Sequence, residues 1–252
     1  MFHHLLTDDD IESLERATLD AVAPHAVEAL PGWLLPFDTS TIGRAKSAVP
    51  LSHRHQDDAL LQAIADRYAV RGLPAAFRLA DAPALTNLHA ELRRTGYQPT
   101  QATLVQVGSA QRLVHVFGSG SATIAARPTA AWSDVYLSEG LDAVDGAHRV
   151  AALSRSKYVV YASLVDAHGP AAAGTASFGH GWAGIHGMRT ALRCRGQGLA
   201  GLLLGTLAQE AMARGQERIF LQVDEGNAAA LALYRRAGFS TAWRYHYWRP
   251  AH

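Results

Sequence analysis

Apolar positions fall into helical and strand periods along the chain. Leu199, Leu202, Leu203, Leu204 and Leu207 recur at the spacing of one helix face. That run stops at Arg214-Gly215, where glycine suits a helix C-cap. The apolar stretch 219–223 reads as a buried strand. Asn227 then suits an N-cap for a helix over 228–236. Alternating aromatics over 241–249 predict a final strand. Upstream, a strand over 122–126 is followed by helices within 131–139 and 143–154. Residues 158–165, 171–180 and 182–190 form three antiparallel strand candidates, with glycine turns at Gly169 and Gly181. In the first half the pattern predicts helices over 7–19, 57–70 and 84–95 and strands over 33–37, 44–49, 75–79 and 103–107. Asp8, Asp9 and Asp10 near the first helix start suit its dipole.

The small, aperiodic residues 118–121 are the expected linker, dividing the chain into domains 1–117 and 122–252. The halves echo each other. Arg71-Gly72 precedes Phe77 by the interval at which Arg214-Gly215 precedes Phe220. Leu92-Arg93-Arg94-Thr95-Gly96-Tyr97 mirrors Tyr234-Arg235-Arg236-Ala237-Gly238-Phe239. We read this as a diverged internal duplication.

Composition narrows the class. The 252 residues are 48% hydrophobic, enough for a substantial core. A net charge of +1 argues against a general attraction for nucleic acid or anionic membrane. With one cysteine, Cys194, no intramolecular disulfide forms. The N-terminus lacks the pattern of a signal peptide, and no apolar run approaches membrane-spanning length, so a cytoplasmic protein is expected. The spacing of His3-His4 and His53-Arg54-His55 makes no metal site; a solvated surface is the expectation, and no metal is implied.

The chemistry concentrates in residues 193–201, Arg-Cys-Arg-Gly-Gln-Gly-Leu-Ala-Gly, which run straight into the leucine-rich helix. Glycine lets backbone approach a ligand, a helix N-terminus offers unpaired N–H groups, and arginine adds directional donors for phosphate. The segment reads as a pyrophosphate cradle. It lacks the Lys and Ser/Thr of an ATP P-loop, since Leu199 and Ala200 follow Gly198. Gly196, Gly198 and Gly201 formally meet a dinucleotide pattern. Too little chain follows for the sheet that such a fingerprint normally opens.

Arg193, Gly196 and Gly198 fit the Arg/Gln-x-x-Gly-x-Gly/Ala loop of the GNAT acetyltransferases, the GCN5-related N-acetyltransferase superfamily. The order of loop, helix, strand, Asn227, a helix with Leu233-Tyr234, Gly238-Phe239 and a final strand resembles that family across 121–252, with specific motifs in 182–239. The resemblance implies an α+β (mixed α/β) fold. It also implies a tandem chain of two GNAT-like units, each a mostly antiparallel twisted sheet flanked by helices. The first half is the degenerate one. Counting back from Arg71 reaches 53–58, which has no glycine and carries Asp57 and Asp58, and Leu92 stands where Tyr234 does.

The implied activity is acetyl-CoA-dependent transfer of an acetyl group directly to an amine, expected to be a small molecule. Amino acids, antibiotics and protein N-termini remain open. In that resemblance Arg193, Arg195, Gly196, Gln197, Gly198, Leu199 and Ala200 hold the diphosphate, and Asn227 belongs to the cofactor site. Met188, Arg189 and Thr190 offer a strand edge to the pantetheine arm. An N–H of this strand stabilises the oxyanion. Tyr234 protonates the leaving thiolate and also belongs to the cofactor site. For the base that deprotonates the amine, His186 lies two residues from Met188 on the same strand face. Asp224, Glu225, His246 and water are alternatives. Cys194 is either a reactive thiol beside two arginines or loop filler. The rival readings are a non-catalytic acyl-CoA-binding module and, on the glycine pattern alone, a nicotinamide oxidoreductase. A monomer or homodimer is expected.

Overall fold

The computed structural model describes residues 6–118 and 120–251; His3-His4 and Ser119 lie outside them. The chain opens with helix α1 (Asp8–Val22), held by a capping box. Thr7 Oγ1 accepts from Asp10 N at 3.2 Å and the Asp10 carboxylate accepts from Thr7 N at 3.0 Å. Strands β1 (Ala26–Leu30), β2 (Trp33–Phe37) and β3 (Val49–Pro50) form a small antiparallel sheet. Helix α2 (Leu60–Ala69), strand β4 (Phe77–Ala80), helix α3 (Thr86–Arg94), strand β5 (Tyr97–Ser109) and helix α4 (Ala110–Phe117) follow. The second half contains β6 (Thr123–Ala125), α5 (Ala130–Tyr136), α6 (Ala143–Leu153), β7 (Val159–Asp166), β8 (Gly169–Gly179) and β9 (Trp182–Thr190). It ends with α7 (Leu199–Ala213), β10 (Arg218–Asp224), α8 (Ala228–Arg236) and β11 (Ser240–Pro250).

Eight strands make one sheet in the order β4-β11-β5-β10-β9-β8-β7-β6. Only β9–β10 is parallel; the other pairs are antiparallel, so the mixed α/β class with a mostly antiparallel sheet stands. The order contains an exchange. Each half supplies a strand–helix–strand unit, β4–α3–β5 and β10–α8–β11. Yet β5 pairs with β10 of the other unit, and β11 pairs with β4. The two final strands pair with each other in the middle, from Ser240↔Val107 to Pro250↔Tyr97. Swapping the units leaves the order unchanged, a local pseudo-twofold. The turn glycines repeat too: φ is +66° at Gly72 and +70° at Gly215, +85° at Gly96 and +86° at Gly238. The two units thus share a sheet rather than each closing its own.

One apolar core gathers α7, α8 and the second-half strands around Leu203, Leu204, Leu207, Ile219 and Leu221. Another lies in the first half around Trp33, Ile64, Phe77, Leu88 and Leu92, and takes in Trp248 of β11. Gly201 and Gly205 let α4 close onto α7, since a Cβ on Gly201 would stand 2.8 Å from the Phe117 ring. Gly118 and Gly120, read from sequence as flexible linker, are packed against Gly205 and Thr206 of α7.

One predicted strand is corrected. Where a strand is expected over 44–49, a 3₁₀ turn, Gly43–Ala45, precedes the two-residue β3. Ser47 Oγ donates to the Gly43 carbonyl at 2.9 Å and stabilises the turn, while the Tyr247 ring packs so close to Gly43 that a Cβ would lie 2.7 Å away. Ala48 then joins the small sheet to the outer edge of β4, donating to Ala76 O and accepting from Arg78 N, both at 2.8 Å.

The exchange predicts that residues 122–252 do not fold alone, because β10 and β11 would lose β5 from between them. This fragment is expected to aggregate and to show no cooperative thermal transition by circular dichroism. A soluble fragment melting cooperatively would contradict the shared sheet.

Candidate active site

The site begins where two strands part. Strands β9 and β10 pair through only three residue pairs, Ile219↔Ala183, Phe220↔Gly184 and Leu221↔Ile185. Past them each strand stays bound to its outer neighbour, β9 to β8 through Thr190 and β10 to β5 through Asp224. The inner edges of the two strands therefore face a gap with no strand in it. Gly187, at φ +63°, bulges β9 there, and its carbonyl accepts from the Tyr136 hydroxyl at 2.5 Å. A cavity of about 540 Å³ occupies the gap. His186, Met188, Arg189 and Thr190 of β9, Gln222 and Asp224 of β10, and Asn227, Ala230 and Tyr234 line it. Arg195, the turn residues Thr41 and Arg44, Gln101 and Thr103 of β5, Arg149, and Tyr245 and Tyr247 of β11 complete the wall.

The glycine loop lies at the outer end of β9. Gly196 and Gly198 adopt φ +77° and +78°, the left-handed region, and a Cβ at either would meet nothing within 4 Å. The space beside them is open, and the backbone conformation is what requires glycine. Gly198 caps α7 without a side-chain acceptor, so first-turn N–H groups remain for an anion. Leu199 and Ala200 open that turn, Gln197 Nε2 donates back to Arg193 O at 3.4 Å, and Arg195 reaches the cavity. The loop fits a diphosphate.

Arg193 is turned elsewhere. It pairs with Asp166 and donates to the carbonyls of Gly169 (3.2 Å) and Pro170 (3.0 Å), bracing the loop on the β7–β8 hairpin. The hydrogen bond from Arg193 and the backbone N–H of His168 lower the Asp166 carboxyl to about 2. Cys194 is buried, and burial followed by its hydrogen bond to Asp166 (3.3 Å) raises the thiol above its usual range. It is packing within the loop and not an activated nucleophile.

Tyr234 is 7% exposed, packs edge-on to Phe239 at 5.7 Å, and lines the cavity. No partner for its hydroxyl occurs among the described residues, and burial pushes it up to about 12, so it keeps its proton at neutral pH. Asn227 caps α8 through Oδ1, which accepts from Ala230 N at 3.1 Å. The four side chains considered for a base divide. His186 and Asp224 line the cavity, whereas Glu225 pairs with Arg244 at 3.3 Å and His246 pairs with Asp81 at 3.0 Å, both outside the lining.

His186 is buried. Its ring folds back over Gly184 and meets Phe220 edge-on at 5.4 Å, while Nδ1 lies 3.5 Å from Arg44 Nη1. Arginine only donates, so Nδ1 accepts and the proton sits on Nε2, which has no partner among the described residues. Burial first, then the Arg44 charge, hold the imidazole well below its usual value.

The sequence reading does not include the first-half contributors, Thr41, Arg44, Gln101 and Thr103, or the Asp145 network. Asp145 accepts from Arg149 (2.6 Å), Arg189 (2.7 Å) and Thr41 (2.8 Å), so two cavity arginines share one carboxylate. Gln101, at φ +52°, is one of three non-glycine residues with positive φ among the described residues. At the equivalent place in the first half no glycine precedes α2; the Asp57 carboxylate sits just ahead of the helix and accepts from Ala59 N at 3.0 Å, and Leu92 is wholly buried. His53, expected on a solvated surface, is half-buried against Trp243 and pushed by burial down to about 4. Among the described residues no cluster of three or more His, Cys, Asp or Glu could hold a metal, and no helix is long and apolar enough to cross a membrane.

A mixed sheet that parts over a glycine-started helix is the GNAT acetyltransferase architecture, and comparison with known proteins agrees. The family model described as "Probable histone acetyltransferase Rv0428c C-terminal" matches residues 8–248. The "Uncharacterized N-acetyltransferase YobR" of Bacillus subtilis (strain 168) is 25% identical over 246 residues, covering 95% of this chain and 98% of that one. A GCN5-related N-acetyltransferase from Kribbella flavida superposes with a TM-score of 0.67 at 15% identity, covering 96% of each chain. A tandem GNAT protein from the clavulanic acid biosynthesis pathway superposes at 0.59 with 16% identity, again over 96% of each. The chain belongs to the Rv0428c C-terminal-like family, within the GNAT acetyltransferase superfamily.

Gly184 makes room for His186. A Cβ there would collide with Nε2 and come within 2.8 Å of the Phe220 ring. Gly184→Ala is therefore expected to destabilise the protein by about 1–3 kcal/mol in urea titration, as overpacking does. Parental stability would mean that the ring is not held over Gly184.

Proposed function

We propose that the protein transfers an acetyl group from acetyl-CoA to a small amine, directly and without a covalent enzyme intermediate. The observation that carries this reading is the three-pair contact of β9 with β10, whose free edge leads to the uncapped start of α7. Edge groups of Met188, Arg189 and Thr190 take the extended pantetheine arm as a surrogate strand. Backbone N–H groups of residues 196–200, with Arg195, bind the diphosphate. Asn227 closes the same side. The first half, with the Asp57 carboxylate rather than a glycine loop ahead of its own helix, binds no cofactor and walls the acceptor end.

Tyr234 donates the proton that the departing thiolate needs, since its hydroxyl is protonated and has no partner among the described residues. His186 suits a different task from the one its position suggests. Its accepting nitrogen meets Arg44 and its basicity is depressed, so it positions that arginine. A cavity holding several guanidinium groups disfavours an ammonium and lowers the pKa of an entering amine. The proton then passes to water, with Asp224 at the cavity margin.

Calorimetry with acetyl-CoA is expected to give one site per chain, abolished in Arg195→Ala/Gly196→Asp. Two sites would refute a cofactor-free first half, and NADH binding in place of acetyl-CoA would overturn the assignment. Tyr234→Phe is expected to lower kcat by about 10²–10⁴-fold with little change in acetyl-CoA affinity. An unchanged kcat would favour the non-catalytic acyl-CoA-binding reading. Because burial pushes the Tyr234 hydroxyl up to about 12, its protonated form persists through ordinary alkaline buffers. The kcat–pH profile should therefore show no fall from this group below about pH 10.

A further inference from the structure

The cavity arginines are not equivalent. Arg149 and Arg189 are both engaged by Asp145. Arg195 belongs to the glycine loop, where the diphosphate is assigned. Arg44 is left over. It is half-buried, lines the cavity, and makes no ion pair with a carboxylate of the described residues. Its side-chain neighbour within hydrogen-bonding range is His186 Nδ1 at 3.5 Å, an uncharged acceptor. An arginine in a partly desolvated cavity without a counter-charge is an open binding site for an anion.

Its location says which anion. His186 follows Ile185, the last β9 residue paired with β10, so Arg44 stands at the apex of the gap, the opposite end from the phosphate loop. The acyl group of a cofactor lying along β9 ends at that apex. An anion held by Arg44 is therefore part of the acceptor. The guanidinium sits on the 3₁₀ turn Gly43–Ala45, which the Tyr247 ring packs against and Ser47 fixes, so its placement is built in. On this basis, which rests on the transfer reaction proposed above, we infer that the acceptor is a small amine bearing a carboxylate, and that Arg44 is the residue selecting it.

A planar carboxylate matches the two-pronged guanidinium face. The same cavity disfavours a cationic acceptor such as the lysine-rich segment of a histone tail. Asp145, behind the lining, is shared by two arginines, and the one carboxylate among the described lining residues, Asp224, accepts from Gly226 N at 2.8 Å.

The test compares acceptors in matched pairs. The full-length protein with acetyl-CoA is offered the common L-amino acids, their carboxamides and a lysine-rich histone-tail peptide, and CoA thiol release is followed. Carboxylates are expected to react, with kcat/KM at least about 10–100-fold above the paired carboxamides. Arg44→Gln should raise KM for the carboxylates by about 10–100-fold, change kcat less, and bring acid and amide together. Arg44→Lys should restore only part of the preference, since it keeps the charge and loses the fork. Acetyl-CoA affinity and melting temperature should match the parent in both variants. Carboxamides or the histone-tail peptide reacting as well as the acids, no acid reacting although acetyl-CoA binds, or a preference that survives Arg44→Gln would each overturn the inference. Failure to bind acetyl-CoA at all would instead refute the transfer reaction itself.

Discussion

The pairing of β5 with β11 is the contact on which the rest of the molecule depends. It runs from Ser240↔Val107 to Pro250↔Tyr97 and places the last strand of each half beside the other half's penultimate strand. It also builds one wall of the cavity. Tyr245 lies opposite Thr103, and Tyr245 and Tyr247 face the cavity, while His246 between them points to Asp81 on the other side. Without the exchange, Gln101 and Thr103 would belong to a separate sheet.

Behind the tyrosines lies a buried ion pair, Arg78 Nη2 to Glu15 Oε2 at 2.5 Å, with the Arg78 guanidinium 5.2 Å from the Tyr245 ring. The pair is buried on both sides, and the Arg78 Nε and Nη1 donors find no acceptor among the described residues. A pair of this kind adds little to stability, because desolvation offsets its attraction. It does fix position, tying α1 to β4. The Tyr245 hydroxyl in turn donates to Gln222 at 2.9 Å, and Gln222 donates to Thr18 of α1 at 2.9 Å. Residues of both halves thus hold one floor in place.

The local structure around the loop was legible in the sequence. The glycine loop, the helix after it, the strands around it and Asn227 are set by short-range rules of capping, period and turn conformation, and the positive φ values of Gly196 and Gly198 follow those rules. Partner choice was not. A strand pattern over 103–107 marks a half-buried surface but carries no information on which strand lies beside it. Direction was hidden too: Arg193 and Arg195 are two residues apart, and the distant Asp166 with the Gly169 and Pro170 carbonyls turns the first away. The 3₁₀ turn at Gly43 owes its form to Tyr247, some two hundred residues on, and Arg44 comes with it. In the Asp145 network Arg149 lies one helical turn away, but no sequence period relates Thr41 and Arg189 to them.

The exchange has a temporal side. A ribosome delivers β4, ending at Ala80, long before β11, beginning at Ser240, and β11 is the strand that pairs with β4 in the sheet. At about 5–20 residues per second, the interval between them is roughly 10–30 s. Throughout it the inner edge of β4 lacks its partner strand, and β5, ending at Ser109, precedes β10, which ends at Asp224, and then β11. The nascent chain must be kept from pairing with its twin on an adjacent ribosome, where β11 of one copy fits β4 of the other equally well. A tandem gene makes the correct partner a neighbour on the same thread, so the local concentration of the right strand exceeds that of the wrong one as soon as β11 emerges.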